Sequence, residues 1–289
     1  MTTGDRMGRL TVVGLGPGAA RQMTPEAAAA VEAADLVFGY APYLARLPER
    51  PGQQRRPSDN REEIARASAA LDAAVAGARV AMVSGGDPGV FAMAAAVCEA
   101  IEHGPDAWRA LDFEVVPGVT AMLAVAARCG APLGHDFCAL SLSDNLKPWA
   151  LVEKRLLLAA EAGFVIALYN PISRARPWQL GRAFEILRER LAGNVPVVFG
   201  RAAGREDERI TLSTLAEAAP AQADMATCVI IGTADTRIVP RPGLPPLVYA
   251  PRSTDRPAPR AGEESSAPRA GEESAPRAGE ESVPEETAP

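Results

Sequence analysis

The stretch Ser84-Gly-Gly-Asp-Pro-Gly-Val-Phe91 stands between an apolar run at residues 79–83 and an alanine-rich segment at 91–101. The apolar run predicts a buried strand, and the alanine-rich segment predicts a helix. The two glycines let the backbone approach a ligand, Asp87 supplies a carboxylate, and Pro88 suits the first turn of a helix. An ordinary turn would explain Pro88 but not the Gly-Gly-Asp sequence, so we predict a ligand-binding turn.

Strands and helices alternate on both sides of this turn, which predicts an α/β fold with two domains, 8–119 and 120–245. We expect a mainly parallel first sheet and a more mixed second one, because the acidic cluster at 206–208 suits an antiparallel hairpin. The ligand site of such a protein lies in the cleft between the domains, at the carboxyl ends of strands. Predicted strands are 10–13, 35–38, 79–83, 113–116, 137–142, 164–169, 195–199, 209–213 and 228–231, and predicted helices include 25–34, 121–129, 149–162 and 177–191.

Residues 251–289 differ in composition from the rest of the chain. They contain three copies of Ala-Pro-Arg-Ala-Gly-Glu-Glu-Ser and almost no large apolar side chains. Such a segment cannot offset its own ordering entropy by burying apolar surface. We therefore predict a disordered, low-complexity tail after the second domain.

The composition argues against several classes of protein. The net charge of −6 gives no bulk signature of nucleic-acid binding. No apolar run reaches about 18 residues, so no membrane span is expected. The four cysteines stand alone in apolar segments, which predicts small buried side chains in a reducing, cytoplasmic compartment and, with only two histidines, no metal site. Their positions are Cys98, Cys129, Cys138 and Cys228.

The glycine-rich loop Gly14-x-Gly16-x-Gly18 follows the first strand and raises the alternative of a dinucleotide-binding oxidoreductase. The spacing argues against it, because Ala19 stands where the fingerprint requires its third glycine. The acidic residue Asp35 begins the second strand instead of ending it. Three other turns at strand ends, 85–87, 117–121 and 169–171, favour one ligand shared by both domains.

The motifs taken together resemble the tetrapyrrole methyltransferases, S-adenosylmethionine enzymes with two α/β domains. The matching segments cover nearly all of residues 9–240, and two longer ones resemble the branch of the family that methylates precorrin-3B at ring carbon 17. The general motifs are Val13–Gly18, Ser84–Gly89, Val116–Met122, Ala167–Pro171 and Thr227–Gly232, and the longer segments are Gly134–Trp149 and Tyr169–Trp178.

The resemblance implies that S-adenosylmethionine lies in the interdomain cleft, that a tetrapyrrole corrin precursor is the substrate, and that the protein is a homodimer. It implies the following cofactor-binding residues, the last two less directly: Pro17, Gly85, Gly86, Asp87, Val90, Thr120, Ala121, Asn170, Ala202 and Thr227. On chemical grounds, Asp87 could face the polar or cationic part of the cofactor, while backbone groups at Gly85 and Thr120 could hold its amino-acid part.

The resemblance also implies a second reaction step, contraction of the macrocycle, in which a hydroxyl is deprotonated. That step calls for an acid or base near the ring. Candidates are Tyr40, His135, Asp144, Lys147 and Arg201. Relatives that methylate uroporphyrinogen carry an aspartate where this chain has Tyr40, so their base cannot be transferred here. Arg174 and Arg176 are candidates for contacts with substrate carboxylates, although a plain surface role would explain them equally well.

Four alternatives remain open at this point. The substrate could be the cobalt-containing counterpart of precorrin-3B, or the chain could be a sister enzyme that methylates another ring carbon. A NAD-dependent oxidoreductase is a more remote alternative. A non-catalytic ligand-binding module would not need the organised loops 135–149 and 169–178.

Overall fold

Two five-stranded sheets form the frame of the protein in the computed structural model, which describes residues 8–59, 62–173 and 175–253. The described residues belong to one compact unit. Arg174 and residues 254–289, for which the sequence made predictions, lie outside the described residues. The first sheet is entirely parallel and has the strand order β3-β2-β4-β1-β5. Its strands are β1 (Arg9–Gly14), β2 (Leu36–Tyr40), β3 (Gln54–Ser58), β4 (Arg79–Ser84) and β5 (Asp112–Val116).

Helices cover both faces of this sheet, which is why its central strands β1 and β4 are almost entirely apolar and buried. On one face, Val97 and Trp108 pack against Leu10 and Met82. On the other face, a helix begins at Pro25, where the Thr24 hydroxyl accepts a hydrogen bond from the amide of Ala27 at 3.0 Å, as its sequence predicts. The helices are α1 (Pro25–Ala33), α2 (Ala41–Leu44), α3 (Glu63–Val75), α4 (Met93–His103) and α5 (Asp106–Arg109).

The second sheet is mixed, with the strand order β10-β9-β11-β8-β7. Strands β7 and β8 are parallel, whereas β9, β10 and β11 form antiparallel pairs, including the predicted hairpin around 206–208. The remaining helices are α6 (Ala121–Cys129), α7 (Trp149–Glu161) and α8 (Gln179–Arg188). The strands after the two-residue β6 (Gly130–Ala131) are β7 (Phe137–Ser141), β8 (Val165–Tyr169), β9 (Pro196–Arg201), β10 (Arg209–Thr214) and β11 (Thr227–Ile231).

A third, small sheet joins β12 (Arg237–Arg241) and β13 (Leu244–Tyr249) to β6. The sequence did not predict these strands or β3. All three segments are mostly exposed. The segments of β3 and β12 contain two arginines and a proline each, and that of β13 contains two prolines, so none has the pattern of a buried strand. The last strand ends at Tyr249, which is four residues beyond the predicted end of the second domain at residue 245. The division into two domains near residue 120 stays a prediction.

The four cysteines are free, and their burial corrects one expectation. Cys129 and Cys228 are buried, as predicted, and Cys138 is half-buried. The expectation was wrong for Cys98, which is exposed because its position on α4 points away from the core. Within the described residues, no helix is long and apolar enough to cross a membrane.

Candidate active site

The carboxyl ends of β1, β4 and β5 meet in a close contact between glycine backbones. The amide of Gly16 donates to the carbonyl oxygen of Gly86 at 3.1 Å, and the amide of Gly86 returns a bond to the oxygen of Gly16 at 2.9 Å. A Cβ atom on Gly14 would lie only 2.7 Å from the amide nitrogen of Gly118. The Gly14–Gly18 loop, the Gly-Gly-Asp turn and the 117–120 segment therefore form one continuous backbone surface.

Asp87 holds this surface together. One carboxylate oxygen accepts from the amide of Gly89 at 2.8 Å, and the other accepts from the amide of Gly118 at 3.0 Å. The first bond shapes the turn before α4, and the second ties that turn to the end of β5. Both oxygens of Asp87 are thus engaged by the backbone, which is a role that the sequence did not predict.

Arg46 is a further residue that the sequence did not single out. Its Nη2 atom donates to the carbonyl oxygens of Leu15, Gly16 and Gly18 at 2.9, 3.0 and 3.1 Å. Burial lowers the pKa of this guanidinium, and the nearby charge of Arg205 lowers it further. Arg46 fixes the conformation of the Gly14–Gly18 loop. No pattern in the sequence indicates this role, because Arg46 lies about thirty residues from its partners.

Tyr40 ends β2 beside the same turn. Its ring meets the ring of Tyr43 edge-on, with centroids 5.4 Å apart. Tyr43 in turn covers Gly85, because a Cβ atom on Gly85 would lie 2.7 Å from the Tyr43 ring. Tyr43 is therefore another part of the site that the sequence did not indicate.

Tyr169 connects the end of β8 to the start of α6. Its hydroxyl lies 2.6 Å from the hydroxyl of Thr120 and accepts a hydrogen bond from the amide of Met122 at 3.0 Å. Burial is the main cause that raises the pKa of Tyr169 to about 12. Tyr169 thus replaces a side-chain cap that Thr120 does not supply to α6.

Among the described residues, three non-glycine residues have positive φ angles, and all lie at this edge: Phe91 (52°), Asn170 (49°) and Ala202 (49°). Such conformations cost of order 1–3 kcal/mol each and cluster at ligand sites. Asn170 donates from Nδ2 to the Ser141 hydroxyl at 2.9 Å. The amide of buried Ala202 donates to the oxygen of Ala226 at 2.9 Å, next to Thr227.

A cleft of about 490 Å³ opens beside Asn170, Ala202 and Thr227. Its walls are mostly apolar, and the buried Ser173 hydroxyl has no hydrogen-bond partner among the described residues. A mostly apolar cleft with a few polar groups is typical of a small-molecule site. The sequence missed the residues that line it, which are Ile172, Ser173, Pro177, Ala223, Asp224, Met225 and Ala226.

The ten predicted cofactor-binding residues are brought to this one edge of the protein. Pro17, Gly85, Gly86, Asp87, Val90, Thr120 and Ala121 follow the carboxyl ends of the first sheet, and Asn170, Ala202 and Thr227 lie at the facing end of the second. The second sheet is mixed, but its register aligns these positions, because β11 begins opposite the ends of β8 and β9. Parallel β7 ends there too, at Ser141.

The five predicted acid–base candidates lie at different distances from the site. Tyr40 and Lys147 lie at the carboxyl ends of β2 and β7 respectively. His135 lies two residues before β7 begins, at the opposite end of the strand and about 20 Å from Ser141 at strand rise. It is therefore separated from the other predicted site residues.

Arg201 and Asp144 are near this edge but already engaged. Arg201 forms ion pairs with Asp224 (2.7 Å) and Asp207 (2.6 Å) that raise its pKa. Asp144 pairs with Arg176 at 2.5 Å. Burial would raise the pKa of Asp144, but the hydrogen bond and charge of Arg176 lower it overall. Arg176 thus binds a carboxylate of the protein itself.

Comparison with known proteins gives consistent matches. Residues 9–219 match the family of tetrapyrrole (corrin/porphyrin) methylases. A precorrin-3B C(17)-methyltransferase from a Sinorhizobium species is 69% identical over 245 residues, covering 85% of this chain and 96% of that protein. The crystal structure of the methyltransferase CobJ superimposes with a TM-score of 0.81 at 49% identity, covering 84% of this chain and 100% of the other.

A more distant structure contains a ligand. It is a uroporphyrin-III C-methyltransferase from Thermus thermophilus complexed with S-adenosylhomocysteine. The similarity has a TM-score of 0.59 at 26% identity and covers 78% of this chain and 97% of that one.

The glycine contact predicts the effect of replacing Gly118 by alanine. The new Cβ atom would collide with the Gly86 oxygen and lie 3.0 Å from the Gly14 Cα, so backbone must move. We expect the free energy of unfolding to fall by about 1–3 kcal/mol or more, measured by urea denaturation. Gly163→Ala is the control, because it meets no atom within 4 Å and adds only backbone strain. An equal or smaller loss for Gly118→Ala would contradict the close contact.

Proposed function

The chain belongs to the tetrapyrrole methylase family, and on that premise we propose that it methylates precorrin-3B at carbon 17 in cobalamin biosynthesis. The observation that carries the proposal is the high identity to the Sinorhizobium enzyme, which extends over nearly all of that protein. The methyl donor is S-adenosylmethionine, in keeping with the family and with the product complex of the Thermus relative. Contraction of the ring to precorrin-4 is part of the same proposal.

The residues of the site suit this donor. The strained residues Asn170 and Ala202, the unpartnered Ser173 hydroxyl and the adjacent mostly apolar cleft fit a nucleoside. We assign the backbone at Gly85 and Thr120 to its amino-acid part. Asp87 supports this part indirectly, because it fixes the loops and faces their amides. We therefore assign the ten predicted residues, with Ile172 and Met225, to cofactor binding.

The donor supplies an electrophilic methyl group with a neutral leaving group, so the chain mainly aligns the substrate and excludes water. Tyr40 is the acid–base group that the geometry favours for ring contraction. It lies half-buried at the cofactor turn, and within the described part of the chain its phenol makes no hydrogen bond. It can thus exchange a proton with a hydroxyl of the substrate.

The homodimer is a further part of the proposal. The β12–β13 hairpin exposes a group of apolar side chains that a monomer would leave in water. A second copy would cover them, in agreement with the resemblance to dimeric relatives. The exposed residues are Ile238, Val239, Leu244, Leu247 and Tyr249. The four free cysteines favour a reducing compartment, and we propose the cytoplasm.

Cofactor binding is tested by calorimetry with S-adenosylhomocysteine and with NADH. We expect binding of the former only. Asp87→Ala releases two loop amides and should weaken the affinity by about 1–3 kcal/mol. Asp136→Ala, a largely exposed carboxylate at the other end of β7, is the matched control. Tight binding of NADH without a response to S-adenosylhomocysteine would refute the assignment.

Turnover is tested by incubation with precorrin-3B, its cobalt counterpart and uroporphyrinogen III, followed by product mass and absorbance. We expect methylation of precorrin-3B. Tyr40→Phe should lower kcat roughly 10²–10⁴-fold without changing the affinity for S-adenosylhomocysteine. Tyr249→Phe is the control, because it removes a phenol hydroxyl on the β12–β13 hairpin, at the proposed dimer interface and outside the cofactor turn, while keeping the ring. Methylation of uroporphyrinogen III alone would assign the chain to another branch, and full activity of Tyr40→Phe would exclude Tyr40 as the proton carrier.

The dimer is tested by sedimentation of the double variant Ile238→Asp/Leu244→Asp. Two charges on the hairpin should convert the dimer to a monomer, because burying them unpaired is costly. Ile64→Asp, at an equally exposed apolar side chain on α3, should leave the dimer intact. A double variant that still sediments as a dimer would place the interface elsewhere.

A further inference from the structure

Lys147, Arg155 and Phe91 line a small cavity where β7 ends. Its volume is about 40 Å³, and its other lining residues are Ala139, Leu140 and Ser141 of β7 and Val152 of α7. A cavity of this size admits a group larger than one water molecule, for which about 10–15 Å³ suffices. The cavity lies next to the methyl-donor site, since Ser141 is the hydrogen-bond partner of Asn170.

The charges at this cavity are unbalanced. Among the residues that the structure describes, no carboxylate forms an ion pair with Lys147 or Arg155. Lys147 Nζ donates instead to the carbonyl oxygen of Ser143 at 2.8 Å. Asp144, whose charge acts on Lys147, is itself engaged by Arg176 and by Gln179, which donates to it at 2.9 Å. Two cations side by side repel each other unless an anion lies between them.

The pKa of Lys147 is consistent with this imbalance. Burial lowers the pKa of its ammonium group, and the charge of Arg155 lowers it further, whereas Asp144 only partly compensates. A guanidinium and an ammonium group without a carboxylate partner leave a net positive charge at the cavity. An anionic group bound at the cavity would relieve the repulsion and favour the charged form of Lys147.

Phe91 forms the apolar side of the cavity. Its ring is 50% exposed and contacts the Tyr169 ring, with centroids 5.2 Å apart. An aromatic residue at a φ of 52° is strained, and this position buries too little of the ring to compensate through packing. A half-exposed ring in a strained conformation beside the donor site is suited to contact with a ligand.

We propose that Phe91, Lys147 and Arg155 form a subsite for the tetrapyrrole substrate. A carboxylate side chain of the substrate binds between the Lys147 ammonium and the Arg155 guanidinium, and the apolar edge of the macrocycle packs against Phe91. This inference rests on the proposed function, which supplies a flat, apolar substrate with carboxylate arms. It assigns Lys147 to substrate binding and not to proton transfer.

The chain offers a matched control, because Lys147 and Lys154 are its only lysines and Lys154 is exposed on α7, next to Arg155. Steady-state kinetics with precorrin-3B should show KM raised about tenfold in Lys147→Gln and in Arg155→Gln, with kcat little changed, since each loses one charge-assisted bond. Lys154→Gln should leave both constants unchanged. Calorimetry should show the same affinity for S-adenosylhomocysteine in all three variants.

Binding of uroporphyrin III, a carboxylated tetrapyrrole, gives a readout independent of turnover. Fluorescence titration at low and high salt should show weaker binding and a smaller salt dependence in Lys147→Gln and Arg155→Gln than in Lys154→Gln. Phe91→Gly relieves the backbone strain, so its melting temperature should not fall, while its affinity for uroporphyrin III should drop about fivefold or more.

Three results would overturn the inference. One is unchanged KM and uroporphyrin III affinity in Lys147→Gln and Arg155→Gln, and another is a large loss of kcat at constant KM in Lys147→Gln, which would make Lys147 the acid–base group. The third is unchanged affinity in Phe91→Gly. If the unmodified protein binds S-adenosylhomocysteine but neither binds nor methylates any tetrapyrrole, the proposed function fails, and the subsite fails with it.

Discussion

The close approach of three glycine backbones is the constraint on which the site depends. Gly14, Gly86 and Gly118 follow three neighbouring parallel strands, and their backbones pack where side chains would collide. A flat surface of backbone groups results, and Asp87 holds two of its three segments by accepting one amide from each. The sequence predicted that the carboxylate of Asp87 contacts a ligand. In the structure this carboxylate instead holds together the backbone surface on which a ligand would bind.

Two partly buried polar side chains complete this arrangement, and one of them, Arg46, lies outside the motifs. Arg46 donates to three carbonyl oxygens of the Gly14–Gly18 loop, and Tyr169 caps α6 through Met122. Both contacts join segments far apart in the sequence, so each fixes the position of one loop relative to another. The cost of leaving such groups unpaired keeps the loops in place before any substrate binds.

The basic side chains at this edge fall into two groups, those paired with carboxylates of the protein and those without such a partner among the described residues. Arg176 and Arg201 are neutralised by carboxylates of the protein, whereas Lys147 and Arg155 have no such partner among the described residues. A carboxylate-rich macrocycle would therefore meet free positive charge on one side of the site and aromatic surface at Phe91. Within a chain of net charge −6, this local excess of positive charge would orient the proposed substrate.

The sequence by itself determined the α/β class, the parallel first sheet, the mixed second sheet and the family, because these follow from apolar runs, glycine-rich turns and their order. It placed nearly every central strand within one or two residues. It could not find β3 or β12, since edge strands need no continuous apolar run, and it could not find β13, because two prolines in that segment argue against a strand. Only the tertiary structure decided which polar residues share the site. It places His135 at the far end of β7 and shows that Arg201 and Asp144 are engaged in ion pairs. It also shows that Arg46 and Tyr43 belong to the site. Contacts between side chains that are tens of residues apart depend on how the strand ends are arranged in space, and no local sequence pattern encodes this arrangement.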